Sequence, residues 1–414
     1  MRAVSKKYDF ESKTENTLFP LLPQKEREFL EKKAKIFRFS NQEMRILCEI
    51  ARDLQMWREG SIEEIWPQID DKRELFKRVR KNYERIKNLP KSYENFSQKE
   101  QGPNRVFVEV ADKDVGFGMC PVASPKTRCC NLWTLDVVES CGYDCSYCSI
   151  QSFYNQDKVT VISDLKNKLS ALKLDPDQIY HIGTGQSSDS LMWGNLEGIL
   201  DALIDFAKRH PNVILELKTK SDNVSYLLKN EYPPNIIVTW SLNPQKIVES
   251  EERLSAPLDK RLKAAKKIAD KGRLVGFHFH PMIHYAEYKR DYKIIFDRLV
   301  KEFDPKSVAM VSFGTLTFIK PVIRQLRARG SFSKILQMPM EDAAGKLSYP
   351  AEIKKEMFSF AYNALSQWHG KVFFYLCMED HSLWREVLAR EYPTNESFEL
   401  DMKYSYMAKI NSLE

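Results

Sequence analysis

Beyond residue 130 the chain alternates short β-branched runs with helical stretches, and this alternation limits its fold more tightly than any other feature. The candidate strands are NLWTLDVV, QIYHIG, VILELK, NIIVTW, RLVGFHFH and KSVAMVS. Between them lie segments such as LEGILDALIDFAKRH and PLDKRLKAAKKIADKG, the latter stopped by Gly272. Strands joined through a helix run parallel, because a parallel return needs a long crossover. Six such units predict an α/β fold, a partial TIM-type (β/α)6 barrel with its functional residues at the C-terminal ends of the strands.

The first hundred residues read differently. LPQKEREFLEKKAKIF, NQEMRILCEIARDLQMW and KRELFKRVRKNYERIKNL carry apolar residues at helical spacing, and Ser40 or Asn41 suits the cap of the second. Pro90 and a polar stretch mark a boundary near 103. The expected organisation is an N-terminal helical domain over 1–103, the barrel over 104–340, and an α/β extension over 341–414. That extension would hold a helix near 351–367, the strand KVFFYLCM and a helical tail.

Composition excludes several classes. The longest apolar run, Val372 to Met378, has seven residues, far short of a membrane span. The N-terminal MRAVSKKYDF lacks a signal-peptide core, so the expectation is a cytoplasmic protein without a membrane partner. The net charge of +7 is uneven. Residues 1–100 hold 23 basic and 18 acidic side chains, whereas the remaining 314 hold 41 and 39. The charge therefore permits a nucleic-acid partner without demanding one. The run from Lys72 to Lys91, with nine basic residues against two Glu, reads first as a solvated helix face and second as a phosphate-binding one.

Eight cysteines in a reducing compartment point to metal or redox chemistry rather than disulfides. Cys48 and Cys377 stand alone and look structural. Three others, Cys141, Cys145 and Cys148, form C-x3-C-x2-C in ESCGYDCSYCSIQSFY, directly after the first barrel strand. Thiolates on one tight loop bind an iron–sulfur cluster, or half of a zinc site completed elsewhere. Three ligands to a four-iron cluster leave one iron open.

A three-cysteine loop after the first strand of such a barrel, with aromatic Tyr147 before the third cysteine, resembles the radical S-adenosyl-L-methionine (SAM) superfamily. The blocks GTGQSSDSLMW, LELKTKSDNVSYLL, VTWSLNP and SAPLDKRLKAAKKIADKGRLVGFHFHPMIHY then follow in an order that resembles the spore photoproduct lyase family, over roughly residues 130 to 320. The resemblance implies a radical SAM barrel, a [4Fe–4S] cluster on Cys141, Cys145 and Cys148, and SAM bound to its open iron. Reductive cleavage of SAM would give a 5′-deoxyadenosyl radical that takes hydrogen from a substrate, in the family a UV-induced pyrimidine dimer of DNA. It further implies that Lys220 pairs with the SAM carboxylate, that Ser188 and Ser241 hydrogen-bond SAM, and that Tyr147 sits by the adenine and takes part in radical transfer. A flavodoxin- or ferredoxin-type protein would supply the electron.

Three departures bear on the substrate. Gln186 stands where the family has a hydrogen-donor cysteine, and glutamine has no weak X–H bond to give. Ser149 replaces the tyrosine after the third cluster cysteine, which leaves Tyr154 or Tyr285 as substitute rings. LQMPMEDAAGKLSYP keeps Gly345, Lys346 and Tyr349 of the lesion-binding hairpin but carries Glu341 and Asp342, which disfavour phosphates. A nucleotide, RNA or small-molecule substrate is the alternative to damaged DNA. An electron carrier without SAM chemistry and a zinc-stabilised nucleic-acid-binding module are the other classes.

Two groups are left over. Cys120, Cys129 and Cys130 are either small buried hydrophobes or a redox pair, auxiliary ligands or a relocated hydrogen donor. His278, His280 and His284 in HFHPMIH either fill a hydrogen-bonded barrel interior, contact substrate or bind a metal.

Overall fold

The computed structural model describes residues 8–96, 107–120, 127–149, 158–329, 331–343 and 345–413. All six expected strands are present and hydrogen-bond as neighbours in chain order. They are β1 (Trp133–Asp136), β2 (Tyr180–Gly183), β3 (Val213–Thr219), β4 (Ile236–Ser241), β5 (Val275–Met282) and β6 (Val308–Thr315). Every pairing among them is parallel. KVFFYLCM supplies β7 (Phe373–Leu376), which pairs parallel with β6. Strand Gly116–Met119 lies antiparallel on β1. Among the described residues the sheet does not close, so β7 and Gly116–Met119 are its two edges.

Among the described residues four α-helices precede the sheet, Phe10–Thr14, Gln24–Phe37, Asn41–Trp57 and Lys72–Asn88. Ser40 is the cap of the third: its hydroxyl accepts from Glu43 N, and Glu43 returns the bond to Ser40 N. Arg327, on helix Lys320–Ala328, grips Asp53 at 2.8 and 2.7 Å and Glu49 at 2.9 Å, which ties this helix to the sheet's outer layer. Helix Lys72–Asn88 buries Leu75, Val79, Tyr83 and Ile86, and its lysines and arginines take the outer side. Lys91, beyond that helix, is buried instead.

The interior of the sheet is polar at its centre. Glu216 of β3 accepts from His181 of β2 at 2.8 Å, from His278 of β5 at 2.6 Å and from Thr239 of β4 at 2.7 Å. The second His278 nitrogen meets the Ser312 hydroxyl of β6 at 2.6 Å. All five side chains are buried. This settles His278 as a hydrogen-bonded interior residue, the first of the roles its spacing allows. His280, two residues on, faces the same way against Gly314, where an added Cβ would stand 2.5 Å from the imidazole. His284 belongs to the loop beyond, with its backbone N–H donating to Tyr349 Oη at 3.0 Å. Hairpin Glu341–Ala343/Lys346–Ser348 pairs with Thr317–Phe318, just past β6, and both Glu341 and Asp342 are exposed.

Candidate active site

The cysteine loop is shaped by a segment about a hundred residues away in sequence. Glu252–Arg253 pairs antiparallel with Asp144–Cys145, and Ser146 N donates to Glu251 O at 2.8 Å. Asp144 holds ion pairs with Arg253 and, at 3.5 Å, with Arg329. Glu251 is wholly buried and accepts from the Ser146 hydroxyl, Tyr93 Oη (2.9 Å), Ser333 Oγ (2.6 Å) and Lys334 N (3.0 Å). Glu252 accepts from the Tyr147 phenol and from Asn243 Nδ2 at 2.8 Å, and it pairs with Arg261 at 2.6 Å with both side chains sealed from solvent. Each residue between the second and third cysteines thus rests on its own carboxylate.

The second half of the site hangs from β2 and β3. Asp189, in GTGQSSDS, accepts from Lys220 N (2.6 Å), Thr219 Oγ1 (2.7 Å), Leu191 N (3.0 Å) and Met192 N (2.9 Å). These bonds fold the LMW stretch back onto the cysteine loop. The Cys141 thiol reaches Met192 Sδ at 3.9 Å, and a Cβ on Gly142 would stand 2.5 Å from Met192 Cε. Gly185 is needed for a similar reason, because a Cβ there would lie 2.7 Å from Lys218 Cβ. Ser188 Oγ accepts from Trp193 Nε1 at 3.1 Å, and the Ser241 carbonyl accepts from Arg261 Nη1 at 2.9 Å.

Charge converges on the loop. Lys220 Nζ lies 5.7 Å from the Tyr147 ring centroid. Burial opposes its charge, but Cys145 and Glu252 together hold its pKa above the ordinary value. Burial pushes the Cys145 thiol up, the Lys220 ammonium pulls the other way, and Cys148 and Cys141 raise it further. Cys141 is pushed up to about 12, first by burial and then by Asp189. Among the described residues no three His, Cys, Asp or Glu side chains already stand as a metal cage. The thiols nevertheless sit close enough that Cys148 acts on both Cys141 and Cys145, and Cys141 on Cys145. Soft thiolates beside a half-buried cation are a donor set suited to an iron–sulfur cluster.

Of the residues singled out in the sequence, Cys141, Cys145, Cys148, Tyr147 and Lys220 meet at this loop. Ser188 and Ser241 reach it through Trp193 and Arg261. Gln186 lies in the β2 turn, half-buried. Tyr285 is buried one layer back, its phenol on Asp291 at 2.8 Å and its ring edge-on to Tyr93 at 5.5 Å. Tyr154 lies outside the described residues. Sequence reasoning missed Asp189, Glu251, Glu252 and Arg261. The carboxylate pair in IVESEER offers no local signal, because acidic residues at a helix end ordinarily face water.

Cys377 is a correction. It looked solitary in the sequence, yet the fold carries it to the Cys120, Cys129 and Cys130 group. Cys130 is raised first by its hydrogen bond with Cys129, then by burial, and further by the charges of Cys377 and Cys120.

This geometry can be set against known proteins. A family model described as spore photoproduct lyase matches residues 72–349. The spore photoproduct lyase of Clostridium acetobutylicum is 22% identical over 289 residues, covering 66% of this chain and 82% of that protein. That of Bacillus subtilis (strain 168) is 23% identical over 172 residues, covering 40% and 50%. A solved spore photoproduct lyase complexed with dinucleoside spore photoproduct superposes with a TM-score of 0.56 at 19% identity, over 65% of this chain and 82% of that one. A mutant of it with bound AdoMet and dinucleoside spore photoproduct gives 0.54 at the same identity and coverage. The shared fold, and a family model spanning more than half the chain, place this protein in the spore photoproduct lyase family, as a radical SAM enzyme of the lyase class.

Proposed function

We propose that this chain cleaves SAM reductively at a [4Fe–4S] cluster held by Cys141, Cys145 and Cys148, and acts on a pyrimidine dimer in UV-damaged DNA. The observation that carries the reading is the convergence of the three loop thiols with half-buried Lys220 at the C-terminal ends of the parallel strands. Cys141, Cys145 and Cys148 would hold the cluster, which with bound SAM would supply a 5′-deoxyadenosyl radical. Lys220 offers a point charge for the SAM carboxylate, and the sealed Glu252–Arg261 pair keeps the Tyr147 ring beside it. Ser188 and Ser241 flank the same mouth as hydrogen-bonding groups for SAM. An electron from a flavodoxin- or ferredoxin-type donor completes the requirement.

Lys220→Met should keep its iron but bind SAM about tenfold more weakly, the loss of about 1.4 kcal/mol for one charge contact. Isothermal titration against the reconstituted protein measures this. Unchanged affinity would remove Lys220 from the SAM site.

A second reading, a radical SAM reaction on a nucleotide, RNA or small molecule, is favoured by Gln186 in the β2 turn and by the exposed Glu341 and Asp342 on the hairpin. Anaerobic incubation with UV-irradiated DNA, SAM and a strong reductant separates the two. Dimer reversal together with 5′-deoxyadenosine supports DNA repair. 5′-Deoxyadenosine without reversal supports the second reading. Neither product from iron-loaded protein would sink both. No helix among the described residues is long and apolar enough to cross a membrane.

A further inference from the structure

The open sheet leaves two edges, with one thiol just beyond each edge strand and two more on the chain that enters β1. Cys120 follows edge strand Gly116–Met119, and its N–H donates to Leu132 O at 2.8 Å, one step past the pairing with β1. Cys377 follows edge strand β7, where its N–H donates to Phe313 O at 2.7 Å. Cys129 and Cys130 lie on the chain that enters β1, and that chain is tied across the gap to the other edge. Thr127 bridges Asp380, and Arg128 N donates to Glu379 O at 3.2 Å.

The backbone around these thiols is held from a third side as well. Cys129 N donates to Asn395 Oδ1 at 3.1 Å, Arg128 Nε to Tyr392 O at 2.7 Å, and Asn131 Nδ2 to Glu399 Oε2 at 2.8 Å. Cys129 is buried, and Cys130 and Cys377 pack against the core. Strand alternation puts Cys377 on the face of Tyr375, toward the interior, where burial raises its thiol pKa and the Lys218 charge opposes the rise. None of the four is in a disulfide, and the vicinal pair cannot bridge without strain.

We propose that Cys120, Cys129, Cys130 and Cys377 form a second, four-thiolate metal site that staples the two open edges of the sheet. Its ligand is a thiophilic metal, a zinc ion or an iron–sulfur centre, and four protein thiolates make it a closed, structural site with no open position. As at the cysteine loop, the thiols gather without forming a finished cage, so metal binding draws them together and releases their protons. Lys218 offsets part of the resulting negative charge. The site is independent of the SAM-cleaving assignment.

The test begins with the variant Cys141→Ala/Cys145→Ala/Cys148→Ala, which lacks the loop thiols. After anaerobic reconstitution with iron and sulfide, or with zinc alone, it is expected to retain one metal centre per chain by mass spectrometry of the metals. Visible absorption and electron paramagnetic resonance distinguish an iron–sulfur centre from zinc. Adding Cys129→Ser and Cys377→Ser should bring bound metal to background. Because that variant could fail to fold, thiol alkylation of the triple variant is measured as well. The four cysteines should be protected with metal and become labelled after chelation. A metal-free triple variant with its secondary structure intact would overturn the proposal, as would metal retained after the two further substitutions, or labelling indifferent to chelation.

Discussion

Cys145→Ala is expected to abolish iron at the cysteine loop and SAM cleavage together. This is the largest effect expected of a single substitution in the protein, and it follows from the position of Cys145. It is the middle cysteine of the loop, buried, and electrostatically joined to both other loop thiols and to Lys220. Removing it leaves two thiols at the site, too few to hold a four-iron cluster. The backbone pairing of Cys145 with Glu252 uses main-chain atoms and survives the change, so the loop keeps its path. 5′-Deoxyadenosine formation should therefore fall to background, and iron content after anaerobic reconstitution should fall to that of the Cys141→Ala/Cys145→Ala/Cys148→Ala variant, while the melting temperature shifts little. Cys48→Ala, in the N-terminal helices and remote from the loop, should keep full iron. Iron at the wild-type level in the Cys145 variant would refute the ligand assignment whatever the substrate proves to be.

The second large effect is on stability. Glu216→Ala strips the acceptor from His181, His278 and Thr239 at once in a sealed interior. Leaving that many buried donors unpaired costs about 3–5 kcal/mol, which chemical denaturation would report. The same network gives stability a pH dependence with a defined sign. Burial first, then Lys218 and His181, lower the His278 pKa to about 4, while Glu216 opposes them. His278 is thus neutral in the folded chain, and Glu216, despite burial, is kept ionised by its histidine partners. A depressed histidine pKa contributes stability in full above its unfolded value near 6.5 and loses it as pH falls toward 4. From pH 7 to pH 5 that loss is about 2 kcal/mol for His278, and the Glu216 contribution fails only at still lower pH. His278→Gln should flatten the slope between pH 7 and 5. An unchanged slope would mean that His278 is not the titrating group.

Much of the architecture was legible because it rests on local regularities. Strand period, helix period and the glycine and serine stops identified all six barrel strands, the Ser40 cap and the helix beginning at Ala351. The C-x3-C-x2-C spacing likewise made the three candidate ligands readable, since thiols within eight residues of one another need no distant partner to be recognised. The membership of β7 in the sheet was not legible. Its apolar run reads as a buried strand in any context, and only register with β6 selects its neighbour.

The supports of the site escaped for the same reason. Ser146 and Tyr147 are held by Glu251 and Glu252, 105 residues away in sequence, and the bond pattern that makes those carboxylates interior exists only after folding. His278 was ambiguous because period-two spacing shows which residues share a face, not whether that face meets solvent, substrate or Glu216. Cys377 was misread as solitary because its neighbours arrive from a segment that enters the sheet at the opposite edge.

By itself, then, the sequence determined the parallel α/β class, the three-thiol loop and its place after the first barrel strand, since these depend on spacing along one stretch of chain. Only the tertiary structure decided which carboxylates carry that loop, which charge faces it, what the histidines do and where the remaining thiols gather. Those relations depend on which strands become neighbours, and that outcome is set by burial and hydrogen-bond satisfaction over the whole chain rather than by any local pattern.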